Sequence, residues 1–405
     1  MNRFIFVALP LAAAACGFAD DDAKPKANRG TVTVSDEARR IQAEAILVDG
    51  HNDLPWEMRE KGDSSFVKLD ISRPQPRLMT DIPRLRAGGV GAQFWSVFVP
   101  AATEKDHTAV TKTLEQIDVV RRMVRQYPND LELALTVDDI VRIHKAGKIA
   151  SLIGIEGGYS IDKSLGVLRM MYALGVRYMT LTHSASLDWA DSATDEPKAH
   201  GLSKFGEQVV AEMNRLGMLV DISHISAETM RHVLRVAKAP VIASHSSAFE
   251  IAKHPRNVPD DVLKLVAENG GVIMVNFYPA FILPEGARQY ELSRELKKQY
   301  PNESAEYRLA LRKWEKENPL PPATVHHVVD HIEHIIKVAG IDHVGLGSDF
   351  DGIPSVPQQL EDVSKYPVIT QVLLDRGYTK EQILKVLGGN LLRAMRRAEE
   401  VAGTK

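Results

Sequence analysis

Eight short apolar, β-rich runs that alternate with amphipathic or capped stretches constrain the fold of this chain more than any other feature. The runs lie at 45–50, 91–98, 149–155, 176–182, 217–223, 240–244, 271–277 and 343–348. Helical patterns at 108–126, 137–147, 163–174, 204–216, 226–237, 259–269 and 323–339 stand between them. Thr136, Ser203 and Ser226 each precede such a pattern, where a hydroxyl can accept a hydrogen bond from the free N–H groups of a first turn. Strand–helix alternation repeated about eight times predicts an α/β fold of the (β/α)8 TIM-like barrel kind. A doubly wound open sheet is the competing architecture, but no Gly-x-Gly-x-x-Gly turn follows the first strand.

The 405 residues exceed the roughly 250 of a typical barrel. The surplus falls in long connections, chiefly 281–320, and in a C-terminal helical tail around 379–401. The 281–320 segment is rich in Glu, Lys, Arg and Tyr and closes with Pro319, Pro321 and Pro322. It reads as a solvated helical excursion placed to serve as a lid or a dimer contact. With 44% hydrophobic and 25% charged residues, the chain has enough apolar surface for one large core. A net charge of −3 gives no electrostatic reason to expect nucleic acid as a partner.

Residues 1–16 read as a targeting segment rather than part of the fold. Arg3 is followed by an apolar stretch, then by Ala13, Ala14 and Ala15 before Cys16, the only cysteine. This order is similar to a bacterial lipoprotein signal, in which the cysteine carries a lipid anchor. It departs from that pattern at Ala13, where such signals usually have Leu or Val, and cleavage near Ala19 is the competing reading. Residues 17–35, with Asp20-Asp21-Asp22, are expected to form a flexible tether, leaving 36–400 as a single domain. The protein is therefore expected outside the cytoplasm, anchored in the cell envelope through Cys16 or soluble. A lone cysteine permits no internal disulfide, so the core and bound metal must hold the fold.

In a barrel, functional side chains come from the C-terminal ends of the strands. The first run ends in His51 and Asp53, which share a face because side chains alternate along a strand. An imidazole nitrogen and a carboxylate oxygen converging there suit a borderline divalent cation such as zinc. Later runs end in Glu156, His183, His224, His245 and Asp349. One histidine at a strand end is ordinarily structural; so many metal-competent residues gathered at one barrel mouth point to a metal centre. His326, His327, His331 and His334 share a helical stretch, lack the His-Glu-x-x-His pattern, and read as surface or packing residues.

The ordered segments His51-Asn52-Asp53-Leu54-Pro55-Trp56, Gly154-Ile155-Glu156-Gly157-Gly158 and Thr180-Leu181-Thr182-His183 carry a more specific likeness. Trp189-Ala190-Asp191-Ser192, Asp221-Ile222-Ser223-His224 and Ser244-His245-Ser246-Ser247-Ala248 continue it. Arg256-Asn257-Val258-Pro259, Met274-Val275-Asn276 and Gly347-Ser348-Asp349-Phe350-Asp351-Gly352 complete it. Together they resemble the membrane (renal) dipeptidase family of binuclear zinc peptidases, from about residue 40 to 395. The resemblance implies two Zn2+ ions per chain, one held by His51 and Asp53 and the other by His224 and His245. Glu156 and a water or hydroxide would bridge them. It also implies Asp349 as proton carrier, His183 at the scissile carbonyl and Arg256 on the substrate's carboxylate. The implied reaction is hydrolysis of small L,L- or L,D-dipeptides, with homodimerisation compatible. Asp221 and Asp351 are expected to support the site or the fold rather than to bind metal. The rival readings are an amidohydrolase-like barrel acting on another amide or lactam, and a non-catalytic metal- or solute-binding lipoprotein.

Overall fold

The computed structural model describes residues 29–300 and 305–403. Among the described residues nine strands occur: β1 (Leu47–Asn52), β2 (Val90–Ser96), β3 (Leu131–Leu133), β4 (Ile149–Glu156), β5 (Val176–Thr180), β6 (Leu219–Asp221), β7 (Ile242–Ala243), β8 (Val272–Val275) and β9 (Val344–Leu346). Every strand pairing is parallel. β1 pairs with both β2 and β9, and β2 pairs with β4, so eight strands close a ring in the order β1-β2-β4-β5-β6-β7-β8-β9. This is a (β/α)8 barrel, and its eight strands fall within or overlap the eight apolar runs. The ninth, β3, adds to the start of β4 outside the ring, pairing Leu131 with Ile149 and Leu133 with Ser151. Only three residues long, it carries too little pattern to be read from sequence.

Helices cover the outside of the ring, so its strands are buried on both faces, as parallel sheets require. The anticipated caps are made: Thr136 and Asp139 form a capping box, Ser203 accepts from the Gly206 amide, and Ser226 accepts from the Thr229 amide. Inside the ring, Val48, Phe94, Leu152, Tyr178, Ile242 and Met274 belong to one buried cluster with Val137, Ile140, Leu391 and Met395. Helices Val137–Lys145 and Asn390–Val401 therefore close the barrel at the start of its strands. Gly388 passes so near that end of β1 that a Cβ there would lie 2.1 Å from the Ile46 carbonyl oxygen.

The 281–320 excursion contains helices Pro284–Gln299 and Ala305–Glu317, preceded by the short helix Pro279–Ile282. Residues 29–35 lie against the barrel: the Val32 amide donates to Gln359 Oε1 (2.8 Å) and the Ser35 amide to Gln371 Oε1 (2.9 Å). The proposed signal segment, Cys16 and residues 17–28 of the tether lie outside the described residues. Among the described residues, no helix is long and apolar enough to cross a membrane.

Candidate metal centre

The ring brings strand ends that are far apart in sequence to one mouth. The His51 and His245 rings lie 3.9 Å apart between centroids, and His224 and His245 lie 4.9 Å apart. Three sets of potential ligand atoms each fall within 4.8 Å of one another: His51, Glu156 and His245; Glu156, His183 and His224; and His51, Asp53 and Asp349. Glu156 is at the centre of this arrangement. Its Oε2 lies 3.5 Å from His51 Nε2, while its Oε1 lies 3.0 Å from His224 Nε2 and 3.4 Å from His245 Nε2. His51 Nε2 is also 3.2 Å from Asp53 Oδ2. One carboxylate thus turns a different oxygen towards each of two donor pairs.

This donor set fits divalent metal. A tetrahedral zinc with nitrogen and oxygen ligands at about 2.0–2.1 Å separates those ligands by about 3.3 Å, close to most of the spacings seen. The His224 Nε2 to His245 Nε2 approach of 2.8 Å is tighter. Asp53 Oδ1 is buried without a hydrogen-bond partner, the condition of an acceptor waiting for a cation. Burial holds His224 and His245 far below the usual imidazole pKa, so both present neutral lone pairs. Burial opposes ionising Glu156, but the neighbouring imidazoles, His51 foremost, outweigh it and keep its carboxyl well below the usual range.

The ligand-bearing residues are held from behind by buried polar side chains. His51 Nδ1 meets the Tyr178 hydroxyl at 2.8 Å, and His245 Nδ1 meets Ser244 Oγ at 2.7 Å. The Ser244 hydroxyl then donates to Asp221 Oδ2 (2.6 Å), and the Ser244 amide donates to Asp221 Oδ1 (2.8 Å). Asp49 holds Ser348, just before Asp349, in the same two-point way, through the amide (2.8 Å) and hydroxyl (2.7 Å). Such partners fix ring orientation and leave Nε2 free to face metal. His224 and Asp349 both take left-handed backbone conformations (φ 64° each), which cost non-glycine residues about 1–3 kcal/mol. Around His224 the strain is offset by donors on its carbonyl, the Ala193 amide at 2.7 Å and the Thr182 hydroxyl at 3.3 Å.

Asp221→Ala would leave the hydroxyls of Thr180 and Ser244 and the amides of Ser223 and Ser244 without their shared acceptor. Loss of at least about 3 kcal/mol of unfolding free energy is expected, with metal affinity lower by about 10–100-fold. Denaturant titration and a competitive chelator assay measure the two.

A cavity of about 430 Å³ opens onto Asp53, Glu156, His183, His224, Arg256 and Asp349. His183 is a quarter exposed there, with Nε2 3.9 Å from Glu156 Oε1. Burial lowers its pKa, so it presents a neutral ring able to donate one hydrogen bond. Asp349 Oδ2 accepts from Asn276 Nδ2 at 2.8 Å, and its Oδ1 is 4.0 Å from His51 Nε2. Burial, reinforced by the charges of Asp53 and Glu156, pushes its carboxyl up to about 7. Arg256 is buried beside them; its Nη1 donates to Ser246 Oγ (3.3 Å), its Nη2 to the His245 carbonyl (3.2 Å), and its Nε has no partner. Among the described residues it has no carboxylate within ion-pair distance; the more distant charges of Asp349, Glu156 and Asp221 favour its charged form against burial. A larger cleft of about 710 Å³ lies between residues 184–197 and helix Pro284–Gln299. No histidine lines it among the described residues, and its Arg294 lies 3.7 Å from Glu196.

Sequence reasoning passed over Tyr178, Asp49, Ser244 and Asn276 as functional residues, and read Asp221 as a supporting or structural residue, the part it plays in holding Ser244. Their only signal was a polar side chain set inside or just beyond an apolar strand. The helix Val325–Ala339 histidines stay away from the centre: His331 bridges the Ala248 amide and the Ile282 carbonyl, and His334 pairs with Asp260. Asp351 accepts from the Met79 amide (2.7 Å) and so fastens the 77–81 segment at the cavity wall.

Known proteins share this architecture. The structure of the probable dipeptidase PvdM from Pseudomonas aeruginosa superposes with a TM-score of 0.80 at 26% identity, covering 90% of this chain and 98% of that one. A metallopeptidase from Rhodobacter sphaeroides, solved with a phosphinate mimic of the dipeptide L-Ala-D-Ala, superposes with a TM-score of 0.72 at 24% identity. That match covers 87% of this chain and 99% of the other, and shows a common fold. The family model for membrane dipeptidases, peptidase family M19, matches residues 35–405. With nearly the whole barrel and its mouth inside that match, the chain belongs to the membrane dipeptidase family and is a metallo-dipeptidase.

Proposed function

We propose that this protein hydrolyses the single peptide bond of small dipeptides at a two-zinc centre. The observation that carries the reading is the division of Glu156, with Oε2 towards His51 and Oε1 towards His224 and His245. His51 and Asp53 would hold one ion and His224 and His245 the other, with one Glu156 oxygen on each. Bound zinc would supply the Lewis acidity that activates water and polarises the scissile carbonyl.

The remaining steps belong to the chain's own groups. Asp349 takes the proton of the attacking water and returns it to the leaving amine, and Asn276 fixes which carboxylate oxygen faces the cavity. Neutral His183 donates to the carbonyl oxygen as charge develops there. Arg256 receives the substrate's terminal carboxylate, whose two oxygens match a guanidinium fork. A carboxylate so close to the reacting centre favours dipeptides over longer chains. The L-Ala-D-Ala mimic in the Rhodobacter sphaeroides protein is the reason to include L,D-dipeptides among the substrates.

Arg256→Met should raise KM for a dipeptide by about 10²-fold, the size of a charge-assisted hydrogen-bond loss, while kcat falls much less. Steady-state kinetics on Ala-Ala separates the two constants. The reading as a whole is tested by stripping the protein with chelator and restoring zinc. Amine release should vanish and return with zinc; release that survives complete stripping would refute it. We also propose export with a lipid anchor at Cys16, supported by the sequence of residues 1–16. Cys16→Ser should then move the protein from the membrane fraction to the soluble fraction of cells, read by immunoblot.

A further inference from the structure

We infer that the preferred substrates are dipeptides with bulky apolar side chains at both positions, each read by its own wall of the cavity. This rests on the dipeptidase reading and names the substrate class that the same site selects. Apart from the metal centre and its polar neighbours, the cavity is lined largely by apolar groups. Polar groups fix orientation in such a site, and its apolar walls set which side chains are taken.

Arg256 decides which wall meets which residue. Its guanidinium carbon lies 5.2 Å from the centroid of the Phe281 ring, and Phe281 packs edge-on to Tyr278 at 5.0 Å. A C-terminal residue whose carboxylate sits on Arg256 carries its side chain on the adjacent carbon, against Phe281 and Tyr278. That wall is braced by its own contacts. The Phe281 carbonyl accepts from Asn257 Nδ2 (2.7 Å), the next carbonyl, Ile282, accepts from His331 Nε2 (3.1 Å), and the His254 ring stacks 4.5 Å from Phe281. With the C-terminal residue on Arg256, the N-terminal residue is left the remaining apolar lining, Trp56, Ile353 and Pro354, beside Glu57. Trp56 packs edge-on to Phe98 at 5.2 Å, and Phe98 packs on His183 at 4.9 Å. The second wall is thereby tied to the residue that contacts the scissile carbonyl. Preformed walls gain affinity from an apolar side chain without the cost of ordering themselves.

The test uses the full-length zinc-loaded protein and dipeptides of matched chirality. Phe-Leu and Leu-Phe should exceed Gly-Gly and Asp-Asp in kcat/KM by at least about tenfold, the size of a filled against an empty apolar pocket. Equal or better turnover of Gly-Gly or Asp-Asp would overturn the inference while leaving the dipeptidase reading intact. Hydrolysis of none of the four would overturn both. Phe281→Ala should lower the Ala-Phe to Ala-Gly ratio of kcat/KM about tenfold, and Trp56→Ala the Phe-Ala to Gly-Ala ratio, each moving the other ratio little. Thermal unfolding and zinc content, measured on each variant, confirm that a folded centre is being compared. Ratios that shift together in both variants, or not at all, would refute the two-wall assignment.

Discussion

Glu156→Gln is expected to lower kcat/KM by about 10³-fold or more, on the order of 4 kcal/mol, and to reduce bound zinc below two ions per chain. The amide keeps the shape of the side chain but replaces one oxygen with an N–H2 group, which has no lone pair to offer a cation. Either the His51 side or the His224 and His245 side then loses its ligand, since each faces a different oxygen. The bridging carboxylate charge that would help offset repulsion between two cations is lost as well. Elemental analysis beside steady-state kinetics reads both effects. Full zinc content with near-normal turnover would remove Glu156 from the bridge.

Asp349→Asn is expected to act differently. Metal content and KM should change little, while kcat falls by about 10²–10⁴-fold, the range for loss of a positioned proton carrier. The amide can still pair with Asn276, so the 349 loop and its left-handed turn are kept. The contrast between the two variants separates holding metal from moving a proton. Near-normal kcat in Asp349→Asn would remove the proton-carrier role.

The barrel was legible because eight apolar runs alternating with helical stretches, three of them with evident caps, admit few other folds. β3 was not, since Leu131-Glu132-Leu133 between two helices looks like any connection. At the mouth, His51 and Asp53 could be paired from sequence as positions i and i+2 at a strand end, although β1 stops at Asn52 and Asp53 is the N-cap residue of the helix that follows. The remaining residues could be listed as strand endings, but their pairing depends on strand order, which brings β6 beside β7 and β9 beside β1. That order also explains Asp221 and Asp49. Each sits within a strand and holds the serine that precedes a mouth residue on the neighbouring strand or its extension, an arrangement without a signature along the chain. Arg256 came only from family likeness, because a guanidinium in a loop reads as a surface charge until burial shows it facing a cavity.

A zinc-edge anomalous difference map from crystals of the zinc-loaded protein tests the centre most directly. Two peaks are expected about 3.5–4 Å apart, one against His51 and Asp53, the other against His224 and His245, with Glu156 between them. A single peak, or density placed away from these five side chains, would contradict the two-zinc centre.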